Sequence, residues 1–147
     1  MTTRGQMSEA AEHEGGHTEL MRAALEGEAE TVERLLESGT DVNERDDEGR
    51  TGLMFAVTNI HRDTANSLLE HGADVNAAAN DGSTALMLVA SAGDAEIVRD
   101  LLSQGADPSA KFTQTGKTAL MIAKEKDFTD IVRLLKAAGA NDENQTN

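Results

Sequence analysis

Apolar residues recur along the chain in short blocks whose internal spacing is helical. Ile97, Val98, Leu101 and Leu102 fall three and four residues apart, the period that puts side chains on one face of a helix. An apolar run from Ala85 to Ala92 precedes them and stops at Gly93. The pattern predicts a first helix over about 85–92 and a second over about 94–104, closed by a left-handed cap at Gly105. A stretch such as Ala73-Asp74-Val75-Asn76 then reads as extended. It leads to Asp81-Gly82, a dipeptide suited to a tight turn with positive φ.

The same block occurs four times. Thr18, Thr51, Thr84 and Thr118 are separated by 33, 33 and 34 residues, and each opens a Thr-x-Leu-Met box. Gly39, Gly72, Gly105 and Gly139 each lie 21 residues after their Thr, with a Leu-Leu pair before every one. Thr is a good N-cap, because its hydroxyl accepts from an orphan N–H of the first turn. Neither helix of a unit can bury its apolar face alone, so the units must stack.

These residues carry a resemblance. Gly82-Ser83-Thr84-Ala85-Leu86, Gly93-Asp94-Ala95-Glu96-Ile97-Val98 and Gly72-Ala73-Asp74-Val75-Asn76 resemble three segments of the ankyrin repeat. The similarity runs from about Thr18 to Asp142. It implies an all-α solenoid of helix-turn-helix units with short β-hairpin finger loops. Four repeats are expected, at about 18–50, 51–83, 84–117 and 118–140, between a flexible polar arm (1–17) and a polar tail (141–147). Departures from the family pattern are visible. The family's Pro is Glu19, Gly52, Ala85 or Ala119, its His is Met in every unit, and Ile60 stands where it usually has Gly. Gly52 should cost about 1 kcal/mol against Ala inside a helix. Lys124 and Asp127, replacing Ala and Gly, give the last unit the polar outer face of a terminal repeat.

Charge and composition narrow the function. The net charge is −14 and there is no Trp, Tyr or Cys. Such a surface repels phosphate backbones and has little to stack bases on, so nucleic acid is not an expected partner. No apolar run is long enough for a membrane span and no secretory signal is visible, so a cytoplasmic location is expected. No disulfide or zinc-thiolate site is possible. The segment His13-Glu14-Gly15-Gly16-His17 matches the zinc-protease pattern H-E-x-x-H. That chemistry needs a helix, which two glycines weaken. No other catalytic set is present, and neither enzyme activity nor a cofactor or metal is expected. Asp46, Asp47 and Glu48 read as surface acids at a turn. The methionines at 21, 54, 87 and 121 sit beside core leucines and read as packing. Asn43 and Asn76 are read as turn-tying residues, as the resemblance implies.

The resemblance also implies a protein-interaction module, a small adaptor or a regulator that masks a target. Partners would bind a concave surface of finger tips and first helices. Carried over by position, this gives Arg45, Asp47, Glu48 and Arg50 on the first finger, then Thr58 and Asn59 on the helix that follows. The second finger gives Ala78, Asn80, Asp81 and Ser83, with Ser91 and Ala92. The third gives Gln114, Thr115 and Lys117, with Glu125 and Lys126. The third finger is one residue longer, and the extra residue is placed near Lys111-Phe112-Thr113. Phe112 there either anchors a partner or folds back onto the neighbouring unit. Residues 18–50 hold 11 acids against 4 bases, so a monomer whose partner has a basic surface is expected. Rival readings are a zinc enzyme using the H-E-x-x-H arm, an acidic decoy for a basic nucleic-acid-binding groove, and a purely structural self-associating subunit.

Overall fold

The computed structural model describes residues 15–141. Most of the expected arm, including His13 and Glu14, and the tail after Asn141 lie outside the described residues. The chain forms two compact units, 1–73 and 74–147. Among the described residues, the first unit holds α1 (Glu19–Glu26), α2 (Ala29–Glu37), α3 (Gly52–Thr58) and α4 (Arg62–Glu70). The second holds α5 (Ala85–Ala92), α6 (Ala95–Ser103), α7 (Ala119–Glu125) and α8 (Thr129–Ala137). The fold is all-α, of the repeat-solenoid class. Among the described residues the β-structure is one isolated antiparallel bridge, Lys111 to Thr118. The fingers are therefore tight turns, too short to extend into ladders.

The recurring threonines start the helices as their chemistry requires. Thr18, Thr51, Thr84 and Thr118 each accept from the backbone N–H of the box Met, at 3.2, 3.4, 3.4 and 3.3 Å. This satisfies one orphan donor of each first turn. In the first unit α1 packs on α3 and α2 on α4; in the second, α5 packs on α7 and α6 on α8. The fully buried Ala23, Ala24, Ala56, Ala90 and Ala123 let backbones approach closely, and Leu20, Leu53, Leu86 and Leu120 fill the space between them. Met21, Met54 and Met87 are buried in this core, while Met121 is half-buried. Lys124, Glu125, Lys126 and Asp127 are exposed at the end of α7.

The turn between the helices of each pair needs one left-handed residue. Gly27 and Gly93 supply it at φ 74° and 89° in the first and third pairs. In the second and fourth pairs the residues are Ile60 and Asp127, at φ 60° and 62°. Asp tolerates this region, whereas a β-branched side chain there is strained by about 1–2 kcal/mol. The backbone closes the turn at Ile60 as it does at Gly27 and Asp127, with Ile60 N donating to Val57 O at 3.1 Å and His61 N to Ala56 O at 2.9 Å, and the neighbouring side chains pin it. Asn59 Nδ2 and His61 Nε2 both donate to the Leu25 carbonyl, at 2.8 and 3.0 Å, and the His61 ring lies where a Cβ on Gly27 would be.

Two stability measurements check this reading. Ile60→Gly should relieve the strain, less the extra chain entropy of Gly, for a net gain of about 1 kcal/mol and a Tm about 2–4 °C higher. Gly52→Ala should gain about 0.5–1 kcal/mol, because its Cβ would meet Leu68, Ala24 and Leu20 at an ordinary 3.7–3.8 Å. A fall in Tm for either variant would contradict the packing described.

Candidate functional site

Finger one is a turn built around a buried carboxylate. Asp46 N donates to Arg50 O at 3.0 Å and Gly49 N to Asp46 O at 2.9 Å. The Asp46 side chain is fully covered. Its Oδ1 accepts from the backbone N–H groups of Glu48 and Arg50 at 2.9 and 2.8 Å, and its Oδ2 from Arg50 Nε at 2.8 Å. Burial by itself would raise the Asp46 carboxyl, but the Arg50 N–H, the Arg50 side chain and the Glu48 N–H together hold it below the ordinary carboxylate value. Asp46 is thus not the surface acid expected of it: the turn needs an internal acceptor, and the carboxylate supplies one.

Arg50 is built into the same cluster. Its guanidinium carbon sits 5.0 Å from the centre of the buried Phe55 ring, and the His17 and Phe55 rings pack near-perpendicular with centres 5.3 Å apart. His17 Nε2 lies 3.2 Å from Arg50 Nη2 and 3.3 Å from Asp46 Oδ2. It serves one of them at a time, accepting from Arg50 with its lone pair free and donating to Asp46 when it carries a proton. The backbone just before it docks as well, since Asp47 N donates to Gly15 O at 2.7 Å. Residues 15–17 therefore pack against finger one instead of belonging to a free arm. Gly15 and Gly16 take φ 83° and 80°, which is not helical, so this part of the H-E-x-x-H segment lacks the helix that a zinc protease requires.

Fingers two and three repeat the frame in the second unit. Ala79 N donates to Ser83 O and Gly82 N to Ala79 O; in the third finger Phe112 N donates to Lys117 O and Gly116 N to Phe112 O. Asp46, Ala79 and Phe112 thus hold equivalent positions. The extra residue lies inside the turn between Phe112 and Gly116, at 113–115, which meets the expected 111–113 stretch at Thr113. The position is buried in the first two fingers, at 6% exposure for Asp46 and 8% for Ala79. Phe112 is correspondingly half-buried, and so does not stand at a solvent-facing tip. Thr113 N donates to Asp81 O at 3.0 Å, which sets finger three in register with finger two. A Cβ on Gly82 would come within 2.6 Å of Lys111 O, so only Gly fits there.

The asparagines tie the turns as read. Asn43 Nδ2 donates to Gly72 O at 3.3 Å and Asn76 Nδ2 to Gly105 O at 3.0 Å. Asn76 Oδ1 also accepts from Asp107 N at 2.7 Å. The backbone and hydroxyl of Ser109 hold the Asp107 carboxyl below its usual value against the opposing effect of burial.

The expected surface residues divide. Arg45, Asp47, Glu48, Thr58, Asn59, Ala78, Asn80, Asp81, Gln114, Thr115, Glu125 and Lys126 are exposed. Ser83 is buried, with its hydroxyl donating to Asp81 at 2.7 Å, so it is part of the turn frame and not of the surface. Ser91, Ala92, Arg50 and Lys117 are half-buried. Several exposed groups are already engaged. Arg45 donates to Gly49 O, Thr58 to Met54 O and Lys126 to Ser91 O, and Lys117 pairs with Glu125 at 3.0 Å. Thr58 and Asn59 lie at the far end of α3 from finger one, roughly 10 Å along the helix axis. Sequence reasoning missed Asp46, Phe55 and His17 as the frame of finger one. The signal was there in the finger acid, but its partners were not.

A family model of ankyrin repeats, in three copies, matches residues 6–79 and again 76–147. The chain belongs to the ankyrin repeat family. Ankyrin repeats are generally protein-interaction modules and are typically non-enzymatic. Among the described residues, no helix is long and apolar enough to cross a membrane. No curated protein matches the chain.

Removing the Asp46 carboxylate tests the finger frame. Asp46→Ala leaves two backbone N–H groups and Arg50 without their acceptor and should cost about 2–3 kcal/mol. Because the folded-state value lies below that of the unfolded chain, the stabilisation is present above about pH 4 and is lost as pH falls through the folded value. Asp46→Asn should flatten that acid limb in a pH series of urea melts. An unchanged limb would mean other carboxylates dominate it.

Proposed function

We propose that this ankyrin-repeat protein is a small adaptor or target-masking regulator that binds a protein partner with a basic surface through its fingers and first helices. The observation that carries this reading is the contrast within finger one. Asp46, Arg50, Phe55 and His17 freeze the turn, while Arg45, Asp47 and Glu48 project from it into solvent. A rigid scaffold presenting exposed charges loses little entropy on binding, and its excess of acids attracts a basic surface. Asn80 and Asp81 in finger two, and Gln114 and Thr115 in finger three, are presented in the same way. The protein acts as a monomer in the cytoplasm in this reading.

Affinity capture from the source cell, with wild type beside an Asp47→Asn/Glu48→Gln variant, tests it. A partner retained by wild type should associate more slowly with the variant and show a weaker dependence on salt. Equal rates at low salt would remove finger one from the interface. Phe112→Ala, run in parallel, should weaken capture with cooperative unfolding intact if the ring touches the partner. Loss of cooperativity would assign the ring to packing.

A further inference from the structure

Among the described residues, Ile60 is the one large hydrophobic side chain that is well exposed, at 44%. It is also the one β-branched residue held at positive φ, at 60°. The two observations are independent and point the same way. Glycine would remove the strain and the exposed apolar surface together. Backbone strain retained at a residue that also leaves apolar surface in solvent is a mark of function.

The surroundings make Ile60 a fixed knob. Asn59 and His61 pin the turn through the Leu25 carbonyl, so the side chain is held outward before any partner arrives. Beside it lies an open depression of about 280 Å³ lined by Gly27, Ile60, His61, Arg62, Asp63 and Thr64. Glu26 and Glu28 flank Gly27, with Arg22 at 3.1 and 3.8 Å from their carboxylates. Residues 15–73 carry 13 acids against 5 bases. Self-association through this turn is opposed by the net charge of −14 on each copy.

We propose that the Asn59–His61 turn is a second docking surface, in which Ile60 and the adjoining depression receive a basic amphipathic segment of a protein partner. Its apolar side chains straddle Ile60, and its lysines or arginines meet Asp63 and, in competition with Arg22, Glu26 and Glu28. The inference rests on the chain being an interaction module but not on the finger surface, which lies at the other end of α3.

The probe is a synthetic helical peptide of about 15 residues with leucines on one face and lysines on the other. A control keeps the lysines and replaces leucine by serine. Full-length chain is titrated with each, and amide shifts are mapped. The leucine peptide should perturb Gly27, Ile60 and His61, and Ile60→Gly should weaken its binding by about tenfold, while the serine peptide should bind no better to wild type than to the variant. Ile60→Gly is expected to be more stable than wild type, so a loss of binding cannot be ascribed to unfolding. Equal affinity for wild type and variant would overturn the proposal. Shifts confined to residues 45–50 would overturn it too, and would leave the finger reading standing. An Ile60-dependent dimer in sedimentation of the chain alone would replace the basic partner with a second copy.

Discussion

Within each unit the elements depend on one helix pair being covered by the other. A helix of seven to nine residues is too short to be stable alone in water. The apolar faces of α1 and α3, and of α5 and α7, pack against each other and against the second helix of their own pair. The small residues at the contacts make this possible: Ala23, Ala24, Ala56, Ala90 and Ala123 are wholly buried, and larger groups there would hold the helices apart. Threonine caps and pinned turns do not drive the stacking. They fix where each helix begins and ends, so that the leucine and methionine side chains meet in register.

The polar network of the fingers follows from that stacking. Fingers two and three are brought within hydrogen-bonding distance by the Thr113–Asp81 backbone bond, and finger one meets the segment before α1 through Asp47 and Gly15. Close approach then dictates residue type, since Gly16 and Gly82 leave no room for a Cβ. Asp46 shows the same logic in charge. Its carboxylate is buried because the turn around it supplies two N–H groups and an arginine, and the aromatic ring beneath that arginine closes the cluster. Asp47, Glu48, Asn80 and Gln114 have their side chains exposed outside that cluster. Ile60 stands apart from both groups, an apolar side chain left 44% exposed.

The all-α class, the repeat interval and the helix limits of the third unit were legible from periodicity and punctuation, because these are local properties. Thr84, Gly93 and Gly105 mark ends by backbone chemistry that acts within a few residues. The candidate surface was legible only in part. Asp81 reads as exposed and is exposed, yet Ser83, two residues on, is buried beneath it. The extra residue of finger three, expected near Lys111-Phe112-Thr113, is narrowed to 113–115 only by the fold, because the register of a finger is set by which N–H closes on which carbonyl, and a residue count does not show that.

By itself, then, the chain determined its family, its repeat architecture and its acidic character, since spacing, capping residues and charge are properties of the string. Tertiary structure alone decided which polar groups are frame and which are surface. It buried Asp46 against Arg50 and His17, the last two 33 positions apart in the chain, and it half-buried Phe112 in the place where Asp46 and Ala79 lie. It also left the anomalous residue at position 60 as an exposed side chain on a left-handed turn, which Asn59 and His61 pin to the Leu25 carbonyl. Those outcomes depend on contacts between repeats, and such contacts exist only once the apolar faces have stacked.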